Sequence, residues 1–188
     1  MSRRTLIGLL ATTAMTATLV AGTVATAAPQ AKADVGVLAV TITYSDARAG
    51  AYKDAVAQGI AIWNANVSNV HIQKAASGQR ADVQVIADPG WPRSTLGPVR
   101  PGGSGTVWFG QEAVDEGYSV VRIAAHEFGH ILGLPDNKPG PCSSLMSGST
   151  GGVSCTNATP NASERSRVQS LYAGSLAPAA NTGTVVVG

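Results

Sequence analysis

Ala125-His126-Glu127-Phe128-Gly129-His130-Ile131-Leu132-Gly133-Leu134-Pro135-Asp136 carries more information than any other run of this chain. On a helix, His126 and His130 stand four positions apart, one turn above the other on the same face. Both imidazoles then reach a single cation. Glu127 follows the first of them and can touch a water on that cation without binding it. Gly133 lets the chain leave the helix through a left-handed turn that a Cβ resists. Pro135 cannot continue the helix. The chain therefore turns back under the histidines and delivers Asp136 as a third donor. An amphipathic helix with an incidental polar patch would explain the pair of histidines, but neither Gly133 nor Asp136.

The chemistry of that donor set is specific. A catalytic Zn2+ usually takes three protein ligands and leaves its fourth position to water. His-Glu-x-x-His on a helix is the pattern in which the glutamate serves as general base to that water. The spacing predicts His126, His130 and Asp136 as metal ligands and Glu127 as the base.

Composition bounds the rest. The chain has 188 residues, 44% hydrophobic and 13% charged, enough apolar matter for one core plus processed ends. Without Arg3 and Arg4 the 13 basic residues fall to 11, equal to the 11 acidic ones. No basic stripe is present, so nucleic acid is not an expected partner.

Arg3 and Arg4, the small apolar run Leu6 to Val24, and the small residues at 25–28 read as an export signal over residues 1–28. No other apolar run has membrane length, so no membrane association is expected once the signal is removed. Residues 29–38 read as a pro-segment, 39–175 as the folded domain and 176–188, small and apolar without period, as a flexible tail. An exported chain with two cysteines, Cys142 and Cys155, is expected to pair them. Closing that short loop contributes roughly 3 kcal/mol by loop entropy.

The periodicities predict an α+β fold. Val37 to Tyr44, Val70 to Gln73, Val83 to Ala87 and Thr106 to Phe109 read as strands, the last as the sheet edge that pairs with an extended peptide. His71, in the second of these, reads as a surface residue. Tyr52 to Val67 reads as a backing helix, and Val120 to Leu132, capped by Ser119, as the histidine-bearing helix. Asn161 and Glu164 form a capping pair for a last helix over Ala162 to Ala173. Asp88 to Gly105, rich in Pro and Gly and containing Trp91, reads as a long loop where a cleft would need a wall. Three Asn-x-Ser/Thr sites, at Asn66, Asn157 and Asn161, carry no weight.

The run 126–136, together with Gly140-Pro141-Cys142-Ser143-Ser144-Leu145-Met146-Ser147-Gly148, Ser154-Cys155-Thr156-Asn157 and Glu164-Arg165-Ser166-Arg167-Val168, resembles the snapalysin family. These are small secreted neutral zinc proteases of Streptomyces-type bacteria, within the metzincin-like group, in which an aspartate replaces the third histidine of their relatives. The resemblance implies a twisted mixed sheet of about four strands, a backing helix, an active-site helix, a Met-turn at Met146 and a C-terminal helix. It also implies a Cys142–Cys155 disulfide and a monomeric secreted metalloendopeptidase acting on proteins or peptides, with preference for an aromatic residue after the scissile bond. Small residues from Ser147 to Gly152 are compatible with a roomy pocket there. Lys138 stands where family members can carry an oxyanion-stabilising tyrosine; either Lys138 takes over that task, zinc alone suffices, or activity is weaker. A structural Ca2+ bound by some members is not expected, because Val121 offers no oxygen beside Ser119. Two other classes fit the metal motif: a secreted zinc-binding module without turnover, and a zinc amidase acting on cell wall.

Overall fold

The computed structural model describes residues 39–174 and 183–188. The expected leader and pro-segment, residues 1–38, lie outside the described residues, as do residues 175–182 of the expected tail. Among the described residues no helix is long and apolar enough to cross a membrane.

Among the described residues, six strands form one mixed sheet: β1 (Val40–Arg48), β2 (Val70–Lys74), β3 (Val83–Asp88), β4 (Arg93–Thr95), β5 (Gly105–Gly110) and β6 (Val185–Val187). Their spatial order is β2-β1-β3-β5-β4-β6. β1 runs parallel to β2 and β3, and β3 parallel to β5, whereas β4 is antiparallel to both β5 and β6. β1 shows why a strand forms: Val40, Ile42 and Tyr44 point inward at period two while Thr41 is exposed. The α+β architecture expected from the sequence is the one observed, and His71 is exposed on β2.

The sheet differs from expectation at its margin. β5 is not the edge strand, because β3 pairs with one side of it and β4 with the other. β4 comes from the stretch read as a loop; three residues between Pro and Gly turns carry no period to detect. The last residues, read as part of a tail, form β6: three consecutive β-branched valines pair with the free side of β4.

The helices are α1 (Lys53–Asn66, after a 3-10 turn at Gly50–Tyr52), α2 (Gln111–Asp115), α3 (Val120–Ile131) and α4 (Ala162–Tyr172). Ser119 caps α3, its hydroxyl accepting the Arg122 N–H, and Asn161 with Glu164 closes a capping box on α4. α1 and α3 approach at their backbones. Gly59 of α1 lies so near that a Cβ would stand 2.8 Å from the Ala125 N and 2.9 Å from the Ala124 Cβ. One turn on, the Trp63 indole N–H donates to the Ala125 carbonyl at 2.8 Å. Trp63, Phe109, Phe128 and Tyr172 are fully buried in the shared core. Cys142 and Cys155 are bonded, with Cα atoms 5.6 Å apart.

Gly59 provides a test of this packing. In an exposed helix Gly→Ala gains about 1 kcal/mol. Here the new methyl meets backbone, and overpacking costs roughly 1–3 kcal/mol. Gly59→Ala is expected to lower Tm in thermal denaturation; a raised Tm would show that α1 and α3 can separate without cost.

Candidate metal centre

α3 is buried around its whole circumference from Arg122 to Ile131. That is how two histidines and a glutamate come to lie inside the protein. Past the helix, Gly133 adopts φ +97° and its N–H returns to the His130 carbonyl at 2.9 Å. The Leu134 N–H closes onto the Gly129 carbonyl at 2.9 Å, so the chain reverses within one turn. Asp136 follows the reversal and points back at the histidines.

Two carbonyls aim the rings. His126 Nδ1 lies 3.0 Å from the Leu145 carbonyl and His130 Nδ1 2.7 Å from the Leu134 carbonyl. With the Nδ1 protons placed on those carbonyls by the hydrogen-bond pattern, both Nε2 lone pairs face the centre. The two Nε2 atoms are 3.1 Å apart, and Asp136 Oδ1 lies 3.3 Å from one and 3.5 Å from the other. A tetrahedral ion with ligands at about 2.0–2.1 Å needs donor atoms roughly 3.3 Å apart. Among the described residues these three are the His/Cys/Asp/Glu cluster that could hold a metal ion.

The electrostatics point the same way. In this tautomer Asp136 Oδ1 receives no proton, and it is one of the buried oxygens lacking a hydrogen-bond partner. Burial works to raise the Asp136 carboxyl, yet the adjacent His126 and His130 hold it well below the usual carboxylate range. Burial works to lower His130, but Asp136, the Glu127 charge and the Leu134 carbonyl raise it overall. A carboxylate that resists protonation beside an imidazole that seeks a proton describes a cavity that favours positive charge at its centre.

Glu127 sits beside this centre and is fully buried. Its Oε1 has no hydrogen-bond partner, while Oε2 accepts a short bond from the Ser94 hydroxyl. The same hydroxyl lies 3.1 Å from the Glu127 carbonyl, which shares its single proton. Burial pushes the Glu127 carboxyl up, against the opposing pull of His126, His130 and Ser94. Sequence reasoning found Glu127 but missed Ser94, which lies on the undetected strand β4.

The floor of the site is the segment Leu145–Gly151, wound as a 3-10 helix with a kink at Gly148. Met146 is buried, its sulfur so near Gly129 that a Cβ there would stand 2.5 Å from it. The methionine thus packs under the turn between the two histidines. Glu164 holds the segment from below, accepting from the Ser144 hydroxyl at 2.8 Å, the Leu145 N–H at 3.3 Å and the Met146 N–H at 2.9 Å. The Arg122 guanidinium holds it from the side through the Ser144 carbonyl, the Ser147 hydroxyl and the Gly148 carbonyl. The Ser119 hydroxyl, just before α3, is engaged as the helix cap.

Lys138 lies at the rim, its Nζ 3.4 Å from Asp136 Oδ2. A cavity beside Glu127 and His126 is walled by Trp91, Tyr118, Ile123, Gly148 and Ser149. Trp91 and Tyr118 meet edge to face, with ring centroids 5.8 Å apart.

Residues 39–175 match the Streptomyces extracellular neutral proteinase (M7) family. The chain is 43% identical over 148 residues to the extracellular small neutral protease of Streptomyces coelicolor, covering 79% of this chain and 66% of that one. It is 42% identical over 141 residues to the protein of the same name from Streptomyces sp. (strain C5), covering 75% and 60%. With that of Streptomyces caespitosus it shares 40% identity over 134 residues, 71% of this chain and 98% of the relative. The chain thus spans just under two thirds of the first of these relatives.

Asp136→Ala is expected to weaken divalent-metal affinity by more than about 100-fold, since even residues that only support a ligand are worth 10–100-fold. Competition against a chromophoric chelator measures it. An unchanged affinity would remove Asp136 from the donor set.

Proposed function

The chain belongs to the Streptomyces extracellular neutral proteinase (M7) family, and on that premise we propose that it is a secreted zinc metalloendopeptidase that cleaves internal peptide bonds of proteins. The observation that carries the reading is the spacing of three donor atoms near that of a tetrahedral site, with a buried, half-unpartnered carboxylate alongside. His126, His130 and Asp136 would hold the zinc, which when bound supplies Lewis-acid activation of a water and of the scissile carbonyl.

Glu127 takes the proton of the attacking water and passes it to the leaving amine. Its environment suits a shuttle: burial raises its affinity for the proton, and the Ser94 hydroxyl keeps Oε2 in place so that Oε1 is the working atom. Lys138 brings a positive charge to the rim, suited to the negative charge that develops on the carbonyl oxygen. An extended substrate would pair with the outer side of β4, where β6 lies in this structure, and the same strand carries Ser94 directly to Glu127. The cavity lined by Trp91, Tyr118 and the small residues Gly148 and Ser149 supports a preference for a large aromatic residue after the scissile bond. Export is supported by the relatives, which are named extracellular. A binding module without turnover would have no use for a glutamate kept buried with one oxygen unpartnered.

Glu127→Gln preserves shape but cannot take a proton. It is expected to retain the metal and the wild-type Tm while kcat falls by at least about 100-fold, the lower end of general-base contributions. Cleavage of a fluorogenic peptide at the wild-type rate would remove Glu127 from this role. Chelation should abolish wild-type cleavage, and added zinc should restore it.

A further inference from the structure

The groove that the proposed function assigns to substrate is filled by the chain itself. Thr184 to Gly188 lies antiparallel along β4, pairing Val185 with Thr95, Val186 with Ser94 and Val187 with Arg93. The Leu96 N–H donates to the Thr184 carbonyl at 2.7 Å, and the Gly188 N–H to the Pro92 carbonyl at 2.8 Å. Side chains of the site complete the hold. The Trp91 indole N–H donates to the Gly188 carbonyl, and Lys138 Nζ to the Val187 carbonyl at 3.0 Å. Gly188 stands directly against Glu127, where any Cβ would collide with Oε1. We infer that residues 184–188 are an intramolecular ligand of the peptide groove, seated in place of substrate and covering the general base.

Three observations separate a seated ligand from an ordinary strand of the fold. Val185 and Val187 remain 45% and 53% exposed, so the segment is held by its backbone and contributes little to the core. Backbone pairing with open side chains is how an extended peptide adds to a sheet edge, and it leaves the segment displaceable. The segment also lies beyond residues 39–175, the part that matches the family. Finally, glycine is the one residue that can stand against Glu127 without displacing it, so the segment is fitted to this site and not merely near it.

A tethered ligand acts at an effective concentration in the millimolar range. If the free segment binds with a Kd of roughly 0.1 mM, tethering keeps the groove about nine-tenths filled and depresses kcat/KM about tenfold. The inhibitory consequence rests on the peptidase reading above, whereas occupancy of the groove does not, and the experiment separates them. Deletion of residues 183–188 should lower KM for a fluorogenic peptide and raise kcat/KM about tenfold, with kcat little changed. Gly188→Ala in the full chain should raise kcat/KM in the same direction through the Cβ collision, which keeps the test open should the deletion destabilise the fold. In calorimetry, acetyl-Thr-Val-Val-Val-Gly-amide should bind the deleted form saturably and the full chain at least tenfold more weakly. Failure of the peptide to bind the deleted form, or equal KM values in all three proteins, overturns the inference. If no form cleaves peptide but the binding difference stands, the peptidase reading falls and the occupancy remains.

Discussion

Two backbone carbonyls, those of Leu134 and Leu145, set the direction of the donor atoms in the candidate metal centre. Each accepts from an imidazole Nδ1 and thereby turns the Nε2 lone pair toward the other ring. One carbonyl belongs to the reversal after α3 and the other to the segment beneath it. The donor set therefore exists only when the glycine turn and the floor segment are both in place. Asp136 depends on the same reversal, since Gly133 and Leu134 bond back onto the last turn of the helix.

The floor is held by two buried charges of opposite sign. Glu164 gathers two amides and a hydroxyl at the start of the segment, and Arg122 gathers the Ser144 carbonyl at its start and the Gly148 carbonyl at its kink. Burial pushes the Arg122 guanidinium down, and the Glu164 charge opposes that shift. Charges buried singly are costly, but bonds to peptide dipoles on every side offset the lost hydration. The result is a rigid support for Met146, whose sulfur packs under Gly129 between the two histidines.

The margin of the sheet is where structure passes into function. β4 is three residues long, yet its Ser94 hydroxyl fixes Glu127 from one side while its outer backbone pairs with β6. The strand that fixes the Glu127 carboxylate is thus the same one whose outer ladder receives the chain's last strand. Trp91, just before β4, belongs both to the cavity wall and to the hydrogen bonding of the seated segment.

The features readable along the chain are those written at short spacing. His126 and His130 at one helical turn, the Gly133 break, the Ser119 cap and the Asn161–Glu164 box each need only neighbours within a few residues, and each stands where its spacing puts it. The cysteine pair and the α+β arrangement followed from composition, alternation and helical period. What the sequence could not express is contact between distant segments. Glu164 reads as a cap, and only the tertiary structure makes it the anchor of the floor 18 residues upstream. Ser94 is an unremarked residue in a Pro- and Gly-rich run until the fold brings it to a glutamate 33 positions away. The valines near the end look featureless until the bare side of β4 gives them a partner. Local chain geometry is set by each residue's own sterics and its near neighbours, whereas sheet edges, buried charges and cleft walls are set by which surfaces remain unpaired once the core has closed.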